Sequence, residues 1–404
     1  MRLPTIQLPL QLKKQLAAGH PWVYRDHLAP GLHFPQRAGG AWLRVECGGW
    51  SGYGLWDATS PIAIRMFSQE RAPDAAWVAA QIQAAWELRA PLRQTATSAY
   101  RVVFGEGDGL PGITVDLYGS FAVIATYAES VRALTPWVVA ALREIAPLDG
   151  ILERIPRGAE DEPGAARDEA EQPAKVRLLW GVAPPADLVI EEHGLKFRAN
   201  LFAGQKTGLF LDHRENRHFL ESWSYGRRVL NCFSYTGAFS VYAAWGGATE
   251  IVSCDVAPAA AEDARVNFGL NGFNPNQYEF LVEDCFALLE RYARERRQFD
   301  LLILDPPSFA SSRRQMHAAI RAYTRLNQLA LRCVAPDGLL ASASCTSQVA
   351  PEQFRALLAD AAAQAYRRLQ IIHEAGQPLD HPVPAHFPEG RYLKFMLCRV
   401  RPIS

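Results

Sequence analysis

The chain has 404 residues, 49% of them hydrophobic and 21% charged, a globular composition long enough for two or three domains. Its 42 basic and 42 acidic residues cancel, which excludes a uniformly basic nucleic-acid binder and leaves local patches as the route to such a partner. No run of about 18 uncharged apolar residues reads as a membrane span, no apolar targeting segment opens the chain, and the seven cysteines lack paired spacing; a reduced, cytoplasmic protein without disulfides, metal or membrane contact is expected.

In chain order, residues 1–73 hold short extended runs such as Ala41-Trp-Leu-Arg-Val45 and Ile62-Ala-Ile-Arg-Met-Phe67, with turns at Gly39-Gly40 and Gly48-Gly49. They predict a small β-barrel or sandwich. Residues 75–199 read as a central α+β domain: a helical pattern over 75–92, then strand-like runs at 100–104, 113–117 and 121–126. Residues 157–175 are acidic, rich in Ala, Pro and Gly, and aperiodic, so a flexible surface loop is expected there. A hairpin is predicted over 187–191 and 195–199, around His193-Gly194.

From 201 to 404 the rhythm becomes regular. Strands are predicted at 228–233, 250–255, 278–282, 299–304, 338–344, 367–374 and 393–400, with helices at 238–245, 258–270, 286–297, 313–333 and 351–364. Alternation of this kind predicts a doubly wound parallel sheet, with the last two strands, joined only by a loop, pairing antiparallel. Ligands of such sheets bind beyond the carboxyl ends of the strands. Those ends carry Phe233, Ser234, Tyr235, Thr236 and Gly237, then Asp255, then Asp284, then Asp305 and Pro306. An acid ending the second strand suits a ribose diol, and Asp284 an adenine amino group. A lone Asp at a strand end reads equally well as structural, but four consecutive ends with suitable residues favour a cofactor. The first loop has a single glycine and so lacks the phosphate-cradling G-x-G-x-x-G. S-adenosyl-L-methionine, which has no phosphate, fits better than a dinucleotide or ATP.

Three runs in this half are distinctive: Gly204-Gln-Lys-Thr-Gly-Leu-Phe-Leu-Asp-His-Arg-Glu-Asn-Arg217, Asn231-Cys-Phe-Ser-Tyr-Thr-Gly-Ala-Phe239 and Leu304-Asp-Pro-Pro-Ser-Phe309. Together they resemble the bacterial large-subunit ribosomal RNA cytosine-5 methyltransferases of the RlmI type. The likeness spans nearly the whole chain. Gly19-His-Pro-Trp-Val-Tyr24 is similar to the start of that family's PUA domain, an RNA-binding β-barrel. Gly105-Glu-Gly-Asp-Gly-Leu-Pro-Gly-Ile-Thr-Val-Asp116 and Glu191-Glu-His-Gly194 resemble its central domain, and Asp380-His-Pro-Val383 with Phe387-Pro-Glu-Gly-Arg-Tyr-Leu-Lys394 its C-terminal signature. The resemblance implies an α/β protein whose Rossmann-like class I methyltransferase sheet follows a PUA-like barrel and a central α+β domain. It also places Gln205, Lys206, Thr207, Asp212 and Arg214 at the approach to the cofactor, although Asp212 and Arg214 read equally well as a structural ion pair.

Carbon 5 of cytosine is a poor nucleophile, and a thiolate adding to carbon 6 activates it. Cys345 ends the fifth strand beside the Asp305 strand, a suitable place for that thiol. A cysteine at a strand end also reads as a small buried hydrophobe; the resemblance at Ser344-Cys345 favours catalysis. Asp305 is the candidate partner of N3, with Pro306-Pro307 stiffening the loop. Ser308 stands where some RNA cytosine-5 methyltransferases carry a second cysteine, so the base that removes the C5 proton is left unassigned. Arg314, Arg321, Arg325 and Arg332 share one helix face, where they could track phosphates or simply be solvated. Lys13, Lys14 and Arg25, with His20, His27, Trp22 and Tyr24, form a second basic cluster. The implied partner is large-subunit ribosomal RNA; a homodimer is left open. Two alternatives stand: N-methylation of another RNA base, and a non-catalytic RNA-binding or ribosome-assembly factor.

Overall fold

The computed structural model describes residues 3–32, 34, 41–155, 175–202, 204, 207–310 and 313–402. The loop expected at 157–175 therefore lies, up to residue 174, outside the described residues, as do Gly39-Gly40, Gln205 and Lys206. The chain forms two compact units: one of residues 1–191, 199–211 and 379–390, the other of 192–198, 212–378 and 391–404. Among the described residues no helix is long and apolar enough to cross a membrane.

The first unit holds two five-stranded sheets. In the N-terminal sheet, Thr5–Gln7, Ala41–Cys47, Trp50–Trp56, Ile62–Ser68 and Trp22–Tyr24 lie in that spatial order. Alternation in Ala41–Cys47 sends Leu43 and Val45 to a core shared with Ile6, Val23 and Ile64. The second sheet runs Lys175–Gly181, Gly150–Ile155, Phe121–Thr126, Ile113–Tyr118, Ala99–Phe104. The helices Ala75–Leu88 and Thr135–Ile145 bury Val78, Ile82 and Val138 in the same core as Val102, Val115 and Ile124. Two buried arginines tie this unit together. Arg89 makes a two-pronged pair with Asp108 (2.6 and 2.7 Å) and donates to the Asp380 carbonyl; Arg101 pairs likewise with Asp116 (2.7 and 2.8 Å). The acids of the Gly105–Asp116 run are thus anchors, and the Asp380 carboxylate accepts from the Arg101 backbone N–H.

The second unit contains a seven-stranded sheet. In chain order its strands are Arg228–Cys232, Glu250–Asp255, Glu279–Val282, Phe299–Leu304, Val334–Ser344, Arg367–Ala375 and Lys394–Pro402. Their spatial order is third, second, first, fourth, fifth, seventh, sixth. The first five pair parallel; the seventh runs antiparallel between the fifth and sixth. This is the Rossmann-like methyltransferase sheet expected from the sequence. Strands buried on both faces become nearly continuous apolar runs, as in Leu301-Leu-Ile-Leu304. The order reverses between the first and fourth strands, which makes the ends of those two strands the place for a ligand.

Candidate active site

The loop after the first strand is bent sharply. Phe233 (φ 59°), Tyr235 (φ 47°) and Gly237 (φ 75°) all adopt left-handed backbone. For each of the two non-glycine residues this costs on the order of 1 kcal/mol. The loop is held in return. The Phe233 N–H points at Cys285 Sγ (3.2 Å), the Ser234 N–H donates to the Cys254 carbonyl (2.9 Å), and the Tyr235 N–H donates to Asp255 Oδ2 (2.8 Å). Thr236 is buried, and its carbonyl accepts from Asn267 Nδ2 at 2.8 Å. Gly237 opens the helix Ala238–Trp245, and a Cβ there would stand 2.8 Å from the Ala264 Cβ. The glycine is required by backbone conformation and by the neighbouring helix at once.

Asp255 ends the second strand and accepts from Tyr235 N–H on one oxygen and Ala257 N–H (3.0 Å) on the other. Each oxygen keeps a second lone pair, which fits a ribose diol. Asp284 is exposed and caps the helix Cys285–Glu295, its Oδ1 accepting from Ala287 N–H at 2.9 Å. Cap and adenine acceptor are compatible roles, since Oδ2 is a separate acceptor. The residues present therefore fit a phosphate-free nucleoside with an amino-acid tail.

Around the fourth strand end, Asp305 Oδ1 lies 3.2 Å from Nε2 of His213, whose Nδ1 is 3.0 Å from Asn216 Nδ2. Asp212 is buried and accepts from the Tyr392 hydroxyl at 2.6 Å. Arg214, fully buried, donates through Nε to Glu215 (2.9 Å). A hydrogen bond from His193 and the charge of Arg214 hold the Glu215 carboxyl down at about 2. His213 and Tyr392 lie within the distinctive runs 204–217 and 387–394, but nothing in the spacing of those runs marks either as a partner of Asp305 or Asp212. Thr207, in the first unit, donates to Asp116 Oδ2 at 2.6 Å.

Cys345 follows the fifth strand and is the partly exposed cysteine; the other six are buried. Its Sγ lies 3.8 Å from the Pro306 carbonyl, so the thiol and the Asp305-Pro-Pro loop are neighbours. Cys254 and Cys285 are buried, with sulfurs 3.7 Å apart behind the cofactor loop; contact with Cys285 and burial push the Cys254 thiol up, and contact with Cys232 and burial push the Cys285 thiol up. Lys394, also missed, is 2% exposed, and burial pulls it down to about 8.

The basic residues divide. Arg314 is exposed just before the helix Met316–Cys333, Arg321 is exposed upon it, and Arg325, also exposed, pairs with Glu290 at 2.5 Å. In the first unit Lys13 and Lys14 are exposed. Arg25 is half-buried, its guanidinium donating to the carbonyls of Asp57 (2.6 Å) and Ser60 and stacking over Trp56. Trp22 donates to Glu106 and packs edge-on against Phe387. These aromatics therefore serve internal packing.

A model of S-adenosylmethionine-dependent methyltransferases matches residues 176–386, and a model of PUA-like domains matches residues 6–69. The ribosomal RNA large subunit methyltransferase I of Erwinia tasmaniensis is 36% identical over 96% of this chain and 97% of its own. That of Shewanella amazonensis is 36% identical over 98% and 99%. The chain belongs to the large-subunit ribosomal RNA methyltransferase I family. Its cofactor is S-adenosylmethionine. The family fold extends to a solved S-adenosylmethionine-dependent methyltransferase from Streptococcus mutans, 23% identical, with a TM-score of 0.85 over 98% of this chain and 100% of that one. A second solved methyltransferase with the same score and coverage was crystallised with SAH.

Proposed function

We propose that this methyltransferase acts on large-subunit ribosomal RNA and forms 5-methylcytosine through a covalent Cys345 adduct. The observation that carries the reading is the partly exposed Cys345 thiol 3.8 Å from the carbonyl of Pro306, beside Asp305. An N-methylating site needs no thiol there.

Asp255 would hold the cofactor ribose, Asp284 its adenine, and the backbone of 233–237 with Asp212 and Arg214 its methionine end. When bound, the cofactor supplies an electrophilic methyl group on a sulfonium. Cys345, as thiolate, bonds to carbon 6 of the cytosine and moves the electron pair of the 5,6 double bond to carbon 5. Asp305, acting as the carboxylic acid, donates its proton to N3 as negative charge reaches the ring, and recovers it when the double bond is rebuilt; His213 Nε2 stands 3.2 Å from its Oδ1. After methylation a base takes the carbon 5 proton, the pair left behind rebuilds the double bond, and the carbon–sulfur bond breaks to return the thiolate. The target base must be unpaired or flipped to reach Cys345. Arg314, Arg321 and Arg325, with Lys13 and Lys14, supply phosphate contacts in this reading.

The test is methyl-labelled cofactor with large-subunit RNA that lacks its natural modifications. Digestion to nucleosides should return the label as 5-methylcytidine; label on an exocyclic nitrogen or on another base would refute the reading.

A further inference from the structure

Lys394 stands opposite Ser344 in the antiparallel register of the seventh and fifth strands, one residue short of Cys345. Its side chain crosses under the bend that carries the thiol: Nζ donates to the carbonyl of Thr346, the residue after Cys345, and to that of Tyr392 at 2.8 Å. Only 2% of the residue is exposed. Among the described residues no carboxylate lies within ion-pair distance of Nζ. Buried ammonium groups in proteins are paired with an anion or give up their proton, and two carbonyl dipoles are not an anion. The acid whose charge favours protonation of this amine is the thiol of Cys345, the residue before the Thr346 carbonyl that Nζ holds.

We propose that Lys394 is the counter-ion of the Cys345 thiolate, and that it activates the nucleophile by stabilising its charged form. The role is one of positioning charge, since Lys394 acts through Cys345. It rests on the reading of Cys345 as the nucleophile.

The other ionisable groups around the pair are consistent with this division. Burial opposes protonation of Lys394, Cys345 favours it, and Arg391 opposes it to a lesser degree. Tyr323, pushed up to about 12 by burial, stays neutral beside Cys345. Asp305, its Oδ1 3.2 Å from His213 Nε2, is the carboxyl group on the neighbouring loop. One ionisable proton is shared between the two partners, either on Nζ with sulfur anionic or on sulfur with the amine neutral.

The full chain tests this directly. Iodoacetamide alkylates a thiolate, sulfur bonding to the methylene carbon as iodide leaves, and the rate at Cys345 is read by mass spectrometry from pH 6 to 10. The other cysteines are buried and serve as controls. Lys394→Gln keeps donors for both carbonyls and removes the charge. Its alkylation midpoint should rise by about one unit over the native protein, a roughly tenfold lower rate near pH 7. An unchanged midpoint in a variant with native circular dichroism overturns the proposal. A second measurement leaves Lys394 untouched: the thiolate absorbance near 240 nm, native minus Cys345→Ser. A midpoint below the ordinary thiol value of about 8.5 supports the pairing, and one at or above it refutes it. A lowered midpoint with the methyl label elsewhere than carbon 5 keeps the ion pair and removes the cytosine reading; label on carbon 5 with an ordinary midpoint does the reverse.

Discussion

Replacing Gly237 by alanine should damage the cofactor loop without touching any reacting group. Two costs follow from the structure. The backbone sits at φ 75°, which an L side chain adopts at a penalty of roughly 1–2 kcal/mol. The added Cβ would stand 2.8 Å from the Ala264 Cβ and 3.4 Å from its Cα. Ala264 lies in the helix Pro258–Leu270, so the obstacle is a helix and not a swinging side chain; overpacking of that kind costs about 1–3 kcal/mol. Together about 2–5 kcal/mol is expected, by addition of those two ranges. The protein can meet this as lost stability, or by shifting 233–237 and losing cofactor affinity. Urea denaturation and calorimetric titration with S-adenosylmethionine, run on the same sample, capture both. A variant that keeps native stability and native affinity would refute the geometry on which the cofactor site rests.

Cys345→Ala should abolish methylation while calorimetric cofactor binding persists, because the thiol is not part of the cofactor loop. Glu192→Ala strips the buried Arg217 of its two-pronged partner (2.8 and 2.6 Å) and should destabilise the protein by about 3–5 kcal/mol in urea titration. Arg321→Glu with Arg325→Glu should weaken RNA binding and flatten its logarithmic salt dependence by about two units, each arginine accounting for roughly 0.9, with cofactor affinity unchanged. Glu215, held at about 2 against an ordinary 4.5, contributes stability above the ordinary value and loses it as pH falls toward 2. Glu215→Gln should therefore narrow the stability gap between pH 6 and pH 3, measured by thermal unfolding.

The methyltransferase sheet was legible because its physics is written locally. Buried parallel strands require apolar runs, and their spacing by amphipathic helices gives the alternation away. Strands such as Glu250–Asp255 and Phe299–Leu304 coincide with their expected bounds. The helix Arg214–Glu221 escaped notice because only Phe219 and Leu220 of its eight residues are apolar. It buries charge instead, Arg217 against Glu192, and a buried ion pair leaves no periodicity. The helix Thr135–Ile145 and the strands Gly150–Ile155 and Lys175–Gly181 were also unread, lying between stronger signals. Within the site, the acids at strand ends stood out because chain order places them on one edge of the sheet. Lys394 did not, since a lysine at a strand terminus ordinarily meets solvent, and only the fold puts it beneath Cys345. Arg25 shows the converse: a basic residue near aromatics looks like a phosphate contact until its donors are found on Asp57 and Ser60 carbonyls.

The central claim is a covalent bond between Cys345 and carbon 6 of a cytosine. RNA carrying 5-fluorocytosine tests it most directly, because methylated carbon 5 then bears fluorine in place of the proton whose loss releases the enzyme. In the presence of S-adenosylmethionine, a denaturation-resistant protein–RNA complex should accumulate, with the added mass on the Cys345 peptide and no complex from Cys345→Ala. Active enzyme that forms no such complex, or a complex that survives Cys345→Ala, would contradict the account.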